Sequence, residues 1–312
     1  MGTRSWASLL SFEAYVSWTA KLAEDEGLPF HPILSLEEPE AHLHPNAQRC
    51  VHDQLAKGIG QRIVSTHSPY VAGQATLDEI VHFSKEGSET RVCRLPQLKS
   101  DDIRKIRREV MRSRGELLFA RAVVLFEGET EEQALPILAQ HHWGQSPFLQ
   151  GVVFVGVGGD GNYLPFLRTL NALRVPWFIF SDGEPNARRR VETALKKIDA
   201  KLPHSNVVVL PNDRSIENYL VDEGYEGELK SALVEMRGPY GDDRARAASV
   251  AEMDALDDPG LRASLSKNKV RVAPHWAGAI VRVSGSRSIP VAVRDLLTRI
   301  DSVIGVRRGG VD

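Results

Sequence analysis

The chain has 312 residues, of which 42% are hydrophobic and 26% charged, and its formal net charge is −2. This composition is typical of a folded globular protein with room for two domains, since single cores stop growing near about 250–300 residues. The charge excludes a protein that binds nucleic acid over its whole surface. The sequence has no apolar run of membrane-spanning length and no signal peptide at Met1–Leu10, and Cys50 and Cys93 lack metal-ligand spacing, so a cytoplasmic location is expected.

The first third of the sequence predicts a mixture of helices and short strands. Apolar side chains recur at helical spacing over residues 12–26 and predict a helix there. The elements predicted next are a strand at Ile33–Leu36, a helix at Ala47–Lys57, a strand at Arg62–Thr66 and a closing pair of strands at Ile80–Phe83 and Arg91–Leu95. A basic stretch with interleaved apolar residues, 103–114, then predicts a helical linker.

From Arg121 onward the pattern predicts an α/β fold. Four apolar runs rich in β-branched residues predict strands at Ala122–Phe126, Val152–Val157, Trp177–Phe180 and Val207–Leu210. Helical patterns lie between them at Glu131–His141, Tyr163–Leu173 and Asn186–Lys201. Such alternation is typical of a parallel sheet with helices on both faces. After Pro211 the sequence is mainly helical, and Val291–Ile304 predicts a last amphipathic helix.

Acidic residues follow two of these strands. Glu127 and Glu131 follow the first strand, and Asp182 and Glu184 follow the third. Ligands of open parallel sheets bind outside the carboxyl ends of the strands, and carboxylates brought together there would repel one another unless a cation were bound. Because all the ligands are oxygens, Mg²⁺, Mn²⁺ or Ca²⁺ is favoured over zinc. We expect Gly128 and Gly183 to let the backbone turn sharply at the two strand ends.

An ordinary helix start is the alternative for the first acidic group. Thr130 has the character of an N-cap, with Gln133 three residues later, and Glu131 would then only favour the helix dipole. This alternative leaves Glu127 and the second acidic pair unexplained. Hard divalent ions beside a phosphodiester activate water and neutralise charge, so phosphoryl transfer or hydrolysis is the chemistry expected of such a site.

Three segments together resemble the Toprim domain, most closely that of the OLD (overcoming lysogenization defect) nucleases. They are Phe-Glu-Gly-Glu-Thr-Glu at 126–131, Val-Gly-Val-Gly-Gly at 155–159 and Ile-Phe-Ser-Asp-Gly-Glu at 179–184. In that family an ABC-type ATPase domain precedes a Toprim domain with a Rossmann-like sheet. The resemblance implies that Glu127, Glu131, Asp182 and Glu184 bind metal, with Glu184 standing where a second Asp is usual.

The same resemblance implies two metal ions and further residues downstream. Ser215 and Glu217 resemble the segment that supplies ligands for the second ion, although an ordinary helix N-terminus is the alternative for this pair. The late lysine region is matched by Lys267 and Lys269, either of which would stabilise charge on the phosphate, with Lys267 preferred. A solvated surface lysine remains the alternative there.

Basic residues follow the second acidic pair. Arg188, Arg189 and Arg190 occupy the first turns of the predicted helix, where cations oppose the helix dipole, and this favours contact with DNA phosphates. A solvated helix face is the alternative, as a charged interdomain helix is for the arginines at 104–114.

The amino-terminal third resembles part of an ABC-type ATPase. The strand and loop at 33–45 resemble the Walker B region, which implies that Glu37 serves a magnesium shell and Glu38 the attacking water. Thr-His-Ser-Pro at 66–69 resembles the switch-histidine loop, with His67 as the sensor. No Gly-x-x-x-x-Gly-Lys-Ser/Thr loop occurs, and the signature region is reduced to residues 2–5. ATP binding is therefore expected only with a further amino-terminal part, and ATP hydrolysis by this chain alone is not expected.

Two other functions stay open. Residues 156–161 form a Gly-x-Gly-x-x-Gly between a strand and a helix, and Asp182 follows where a ribose-binding acid would lie, which is the pattern of a dinucleotide-binding oxidoreductase. A Toprim domain that binds DNA or a partner without cutting is the second alternative.

We therefore predict three parts. They are the carboxyl portion of an ABC-type ATPase domain at 1–96, a basic helical linker at 97–118, and a Toprim nuclease domain at 119–312 with an added helical region at about 218–290. The predicted activity is divalent-metal-dependent DNA cleavage with two ions. Because ABC-type ATPase domains pair, a homodimer is expected, and antiphage defence is the setting that the resemblance implies.

Overall fold

The computed structural model describes residues 2–95, 100–111, 115–158 and 162–305. The chain divides into two compact units, 1–119 and 120–312. Predicted features outside the described residues include the arginines at 112 and 114 and the last three residues of the glycine-rich motif, 159–161. The predicted three-part division of the chain stays a prediction. None of the helices in the described ranges is long and apolar enough to cross a membrane.

The first unit contains the helices and strands that the apolar patterns predict. Its helices are α1 (Gly2–Asp25), α2 (Pro45–Ala56), α3 (Pro69–Ala72) and α4 (Ser100–Ile106), and its strands are β1 (Ile33–Glu37), β2 (Gln61–Ser65), β3 (Val81–Glu86) and β4 (Glu89–Arg94). Strands β1 and β2 pair in parallel, and β3 and β4 form the predicted closing pair as an antiparallel hairpin. Helix α1 starts well before residue 12, because no breaker or capping signal interrupts its first turns.

The described part of the basic stretch, 103–111, is helical, as predicted. Helix α4 continues into a π-helical turn at Arg107–Met111, and a 3-10 helix follows at Gly115–Phe119. Ile106 and Val110 are fully buried, whereas Arg104 and Lys105 are exposed. The alternation of apolar and basic residues therefore separates a packed face from a solvated one, which is the usual arrangement of an amphipathic helix.

The second unit is built on the predicted parallel sheet. Its strands are β5 (Ala122–Phe126), β6 (Val152–Gly156), β7 (Trp177–Ser181) and β8 (Val207–Val209). The helices are α5 (Glu129–Trp143), α6 (Tyr163–Ala172), α7 (Pro185–Lys196), α8 (Ile216–Asp222), α9 (Glu226–Arg237), α10 (Asp243–Asp254), α11 (Asp258–Lys267), α12 (Lys269–Val281) and α13 (Val291–Ile304). All strand pairs are parallel, in the order β6-β5-β7-β8. The α/β fold class with an added helical region is confirmed.

The two central strands explain why their sequences are apolar without alternation. Every residue of β5 and β7 is buried, because helices cover both faces of the sheet. From β5 the chain passes to β6 on one side and then returns to β7 on the other. The strand order therefore reverses beside β5, and in open α/β sheets ligands bind at the carboxyl ends of the strands that flank such a reversal.

The carboxyl-terminal helices form a continuous core with one face of the sheet. Helix α12 packs against α5 and α9, and its Trp276 is fully buried. The last helix is attached to α5 through Asp301, which accepts hydrogen bonds from Trp143 Nε1 at 2.7 Å and from His142 Nε2 at 2.8 Å. Both contacts are largely buried, so this carboxylate links two helices that are far apart in the sequence.

We predict that Asp301→Ala destabilises the second unit much more than Asp295→Ala does. The first change removes the acceptor of two buried N–H groups, which should lower the free energy of unfolding by about 2–4 kcal/mol. Asp295 lies on the same helix and forms an exposed pair with Arg299, so its loss should cost at most about 0.5 kcal/mol. Urea unfolding followed by circular dichroism measures both. Equal effects of the two changes would contradict the role given to Asp301.

Candidate functional site

Two acids emerge side by side from the centre of the sheet. Glu127 follows β5 and Asp182 follows β7, and these strands are neighbours, with Leu125 in register with Ile179. The carboxyl ends of adjacent parallel strands lie only about 4.8 Å apart. The sequence prediction that these strand ends meet at one sheet edge is therefore confirmed, while the metal-binding role of the acids stays a prediction.

The glycine after each acid is required by close approach rather than by a left-handed backbone. A Cβ on Gly128 would lie 2.3 Å from Glu131 Oε2, and one on Gly183 would lie 2.2 Å from the Leu210 carbonyl oxygen. Neither glycine has a positive φ, so the bends at Glu127 and Glu184 do not need the left-handed backbone that favours glycine. The absence of a side chain instead lets Glu131 fold back over the first turn and lets the β7 end pack on its neighbour.

Helix α5 begins two residues earlier than it would if Thr130 were its N-cap. Gly128 is its N-cap and Glu129 its first residue, so the interpretation of Thr130 as the cap is wrong. Thr130 is buried within the first turn, and its hydroxyl donates to Glu217 Oε1 at 3.4 Å. Glu131, on the same turn, is only 4% exposed. A helix start that merely favoured the dipole would leave this carboxylate in solvent.

A further acid reaches the same crevice from α8. Ser215 is the N-cap of this helix and accepts a hydrogen bond from the Asn218 backbone at 3.5 Å, which is the ordinary capping arrangement. Glu217 is also buried, and its second carboxylate oxygen lies 3.9 Å from Lys269 Nζ. An ordinary helix N-terminus thus accounts for the position of Ser215 but not for the burial of Glu217.

Two of the clustered carboxylates, Asp182 and Glu131, resist ionisation. Burial and the charges of Glu131, Glu217 and Glu184 together raise the pKa of Asp182 to about 8, with Lys269 opposing them. Burial likewise raises the pKa of Glu131 to about 7, with contributions from Glu217 and Glu127. Five carboxylates from three chain segments therefore share one electrostatic environment near β5 and β7, which favours either a proton or a cation between them.

The donor chemistry of this crevice fits a hard divalent ion. Asp182 Oδ1 is buried and has no hydrogen-bond partner among the described residues, so it offers a free lone pair. Within the described ranges no three His, Cys, Asp or Glu side chains are arranged to hold an ion as they stand. Side chains must therefore rotate before an ion can bind, and Glu127 is one of them because both of its oxygens are engaged by Arg190.

Glu127 is held by an arginine. Arg190 donates from Nε to Glu127 Oε1 at 3.0 Å and from Nη2 to Oε2, a bidentate pair in which the carboxylate is 15% exposed. The other two arginines of the predicted DNA-binding group are exposed on α7, and Arg188 pairs with Glu192 one turn later. The three arginines therefore do not form one surface, and Arg190 is directed at the acidic crevice.

The remaining predicted site residues, Glu184 and the two late lysines, are less buried than the acids of the crevice. Glu184 is exposed at the N-cap position of α7, and its charge acts on Asp182. Lys267 is exposed at the end of α11, whereas Lys269 starts α12 and approaches Glu217. Of the two late lysines, Lys269 is the one that the structure brings to the crevice, which reverses the order of preference drawn from the sequence.

A tyrosine in the site was missed by the sequence analysis. Tyr163 is the first residue of α6 and is fully buried, and its hydroxyl has no hydrogen-bond partner among the described residues. Burial is the main reason why the pKa of this hydroxyl is well above its usual value, and the charges of Glu127 and Glu131 raise the pKa in the same direction. Its position directly after the loop that follows β6 was the available signal, because that loop opens at the same sheet edge.

The ATPase-like residues of the first unit lie together at the ends of β1 and β2. Glu37 is in register with Ser65, and His67 Nε2 lies 3.8 Å from Glu38 Oε1, with both side chains exposed. Glu40 is buried and accepts a hydrogen bond from the Thr66 hydroxyl. The segment that resembles Walker B and the one that resembles the switch loop therefore meet, as their order in the sequence implied.

Two domain families match the chain. Residues 118–183 match the family described as "Overcoming lysogenization defect protein-like, TOPRIM domain", and residues 1–72 match the AAA ATPase domain. The chain carries an OLD-like TOPRIM domain. The resemblance on which the fold and domain type were predicted is thereby confirmed, and the sheet described above is the sheet of that domain. AAA-type sequence precedes the TOPRIM domain, in the order expected.

Curated relatives and solved structures also resemble the chain. The Old nuclease of Escherichia phage P2 is 24% identical over 180 residues, covering 54% of this chain and 31% of the nuclease, and the uncharacterized protein YbjD of Escherichia coli strain K12 is 25% identical over 201 residues, covering 62% and 35%. The chain thus spans about a third of the length of these relatives.

The C-terminal region of the Xanthomonas campestris pv. campestris OLD protein shares 23% identity, with a TM-score of 0.45, over 61% of this chain and 96% of that one. The corresponding region of the Burkholderia pseudomallei OLD protein shares 21% identity, with a TM-score of 0.43, over 59% of this chain and 99% of that one.

We predict that the protein without metal loses stability as the pH rises from about 4 to 8. The pKa values of Asp182 and Glu131 are raised from 3.8 and 4.5 to about 8 and 7, so the folded state binds more protons than the unfolded state in that range. Asp182→Asn removes one of these carboxylates and should flatten the profile. Thermal unfolding in EDTA between pH 5 and 8 measures this.

Between pH 5 and pH 8, the unfolding midpoint of wild type should fall by at least about 3 °C more than that of Asp182→Asn. A shift of about 3 °C corresponds to about 1 kcal/mol in a unit of this size. The matched control is Asp243→Asn, which changes an exposed aspartate in the first turn of α10 and should leave the wild-type slope intact. Parallel profiles for all three proteins would contradict the raised pKa values.

Proposed function

We propose that the TOPRIM domain is a divalent-metal-dependent DNA endonuclease. The observation that carries this proposal is the group of carboxylates that converges where the strand order reverses, with Asp182 Oδ1 left unpartnered among the described residues. Similarity to a nuclease over 54% of the chain supports a nucleic-acid substrate. The raised pKa values of Asp182 and Glu131 favour a cation in the crevice, and phosphodiester hydrolysis is a reaction that such ions promote.

The proposed ligands come from three segments of the chain. Glu127, Glu131, Asp182 and Glu184 would hold metal, and Glu217 with Ser215 would complete the site for a second ion. Mg²⁺, Mn²⁺ or Ca²⁺ suits this all-oxygen set. When bound, such ions neutralise phosphate charge and activate water. Arg190 balances the charge of Glu127 through two hydrogen bonds, and it would have to release that carboxylate for Glu127 to hold an ion.

Lys269 is the proposed stabiliser of charge on the scissile phosphate. Its ammonium group lies 3.9 Å from Glu217 and is 45% exposed, so it is both fixed at the crevice and open to a substrate in solvent. A cation in this position favours the additional negative charge that develops on the phosphate during hydrolysis. Lys267 points from the preceding helix and serves as its natural comparison.

The rest of the proposed function concerns partners. Arg188 and Arg189 are exposed on α7 beside the crevice and would contact DNA phosphates. The AAA-type segment contributes Glu37, Glu38 and His67 to an ATP site that requires a further ATPase part. A homodimer through such ATPase domains, a cytoplasmic location and a role in antiphage defence complete the proposal.

A TOPRIM domain that binds DNA without cutting is the second candidate. The Glu127–Arg190 pair favours it, because a carboxylate engaged by two hydrogen bonds is not available to an ion as it stands. The dinucleotide-binding alternative is weakened by topology, since its glycine-rich loop follows the edge strand β6, while the acids lie between β5 and β7. The nuclease assay below distinguishes cutting from binding.

We predict that Glu131→Gln abolishes cleavage of supercoiled plasmid in Mg²⁺ or Mn²⁺, whereas Glu129→Gln does not. The two residues share the first turn of α5, but Glu131 is buried in the crevice and Glu129 is exposed. Loss of a ligand should reduce the rate at least about 100-fold, since even outer partners of metal ligands contribute about 10–100-fold. Gel electrophoresis of nicked and linear products measures the rate.

The wild-type reaction must also stop in EDTA, and Asp182→Ala must be inactive while retaining a cooperative unfolding transition. Cleavage by Glu131→Gln at the wild-type rate would refute the assignment. If the wild-type chain retards DNA on a gel but cuts it with none of the three ions, the binding candidate replaces the nuclease.

We predict that Lys269→Ala lowers the single-turnover cleavage rate about 100–1000-fold, the range found when a group that stabilises transition-state charge is removed. Lys267→Ala should stay within about twofold of wild type, because that exposed lysine ends the preceding helix. Cleavage of supercoiled plasmid with the enzyme in excess, followed by gel electrophoresis, measures the rate for both variants. A larger loss in Lys267→Ala would restore the preference drawn from the sequence.

A further inference from the structure

Tyr163 occupies a position that a structural role alone does not explain. It begins α6, directly after the loop that leaves β6, and β6 is in register with β5 up to the pair of Phe126 and Gly156. Its ring therefore lies at the sheet edge from which Glu127 emerges. The side chain is completely buried, so the hydroxyl is shielded from solvent, and the charges of Glu127 and Glu131 act on it.

The hydroxyl has no hydrogen-bond partner among the residues that the structure describes. Buried tyrosine hydroxyls normally find one, because an unpaired polar group loses its hydration without compensation. The other buried or half-buried tyrosines of this unit follow that rule. Tyr225 donates to the Arg287 carbonyl at 2.9 Å and Tyr240 to the Val234 carbonyl at 2.6 Å. Tyr163 is thus a buried donor for which the described residues provide no acceptor.

The groups around the hydroxyl restrict what that acceptor can be. Glu127 is the strongest electrostatic neighbour, followed by Glu131, and the guanidinium of Arg190 opposes them. A phenol among carboxylates stays protonated and can only donate to them. Because the hydroxyl is buried, a DNA phosphate on the surface cannot reach it, whereas a carboxylate that rotates within the crevice can.

Glu127 is the carboxylate with a reason to rotate. Both of its oxygens are engaged by Arg190, and an ion in the crevice would compete for them. A carboxylate that gives one oxygen to an ion needs a donor on the other to keep its orientation, and such outer hydrogen bonds change metal affinity by about 10–100-fold.

We propose that Tyr163 is a positioning residue whose hydroxyl donates to Glu127 when this carboxylate turns from Arg190 to a divalent ion. Tyr163 does not touch the ion or the DNA; it fixes the ligand that does. The inference rests on the proposed metal site and adds to it a residue that selects the bound orientation of Glu127.

Tyr163→Phe in the full chain tests this, because it removes only the hydroxyl. After EDTA treatment and dialysis, the thermal unfolding midpoint is followed against Mn²⁺ concentration, since an ion that binds only the folded state raises the midpoint in proportion to its affinity. The variant should need about 10-fold more Mn²⁺ for the same rise. Its metal-free midpoint should be unchanged or higher, because a buried unpaired hydroxyl is gone.

Tyr225→Phe is the matched control. It removes a satisfied hydroxyl away from the crevice, so the metal-free midpoint should fall by about 2–4 °C while the Mn²⁺ dependence stays that of wild type. The two variants are thus expected to show opposite patterns, which a general loss of packing would not produce.

The outcomes separate the inference from the proposed function. If wild type responds to Mn²⁺ and Tyr163→Phe responds at the same concentration, the inference is overturned and the metal site stands. If wild type shows no response to Mn²⁺, the metal site and the inference are overturned together. A metal-free midpoint of Tyr163→Phe below that of Tyr225→Phe shows a purely structural tyrosine and also overturns the inference.

Discussion

Ionised carboxylates repel one another and lose hydration when they are buried, and the TOPRIM domain places several of them in one crevice. The fold accepts this arrangement because positive groups approach from two sides. Arg190 engages Glu127 from α7, and Lys269 approaches Glu217 from α12. These two cations do not balance all of the negative charge, and the pKa values of Asp182 and Glu131 are raised as a result of burial and of the remaining charge. The surrounding helices are therefore arranged around a concentration of negative charge that the apolar sheet itself could not tolerate.

The sheet provides the rigid part of this arrangement. Strands β5 and β7 are buried along their whole length, so the positions of Glu127 and Asp182 are fixed by packing on both faces. Two turn glycines then allow contacts closer than a side chain would permit, one under Glu131 and one against the Leu210 carbonyl. Core packing thus determines where the acids stand, while the loops determine how tightly they approach.

Sequence patterns predicted the strands of the sheet and the acids at their ends, because buried parallel strands and strand-end acids are local signals. The sequence could not show that Arg190 turns inward while Arg188 stays in solvent, since it presents three consecutive arginines at the start of one helix. Nor could it show that Tyr163 is buried with no hydrogen-bond partner among the described residues, or that Lys269 rather than Lys267 reaches Glu217. Each of these depends on contacts between segments that the sequence leaves far apart.

The separation of the site residues along the chain has a consequence for biosynthesis. The acids at 127–131 are made long before Lys269, and α12, which carries this lysine, packs directly on α5. Contacts of such long range form late, because closing large loops costs entropy before the contacts repay it. A nascent or partly folded chain therefore lacks the complete crevice. Whatever chemistry the crevice supports is therefore withheld until both segments have been synthesised and have packed together.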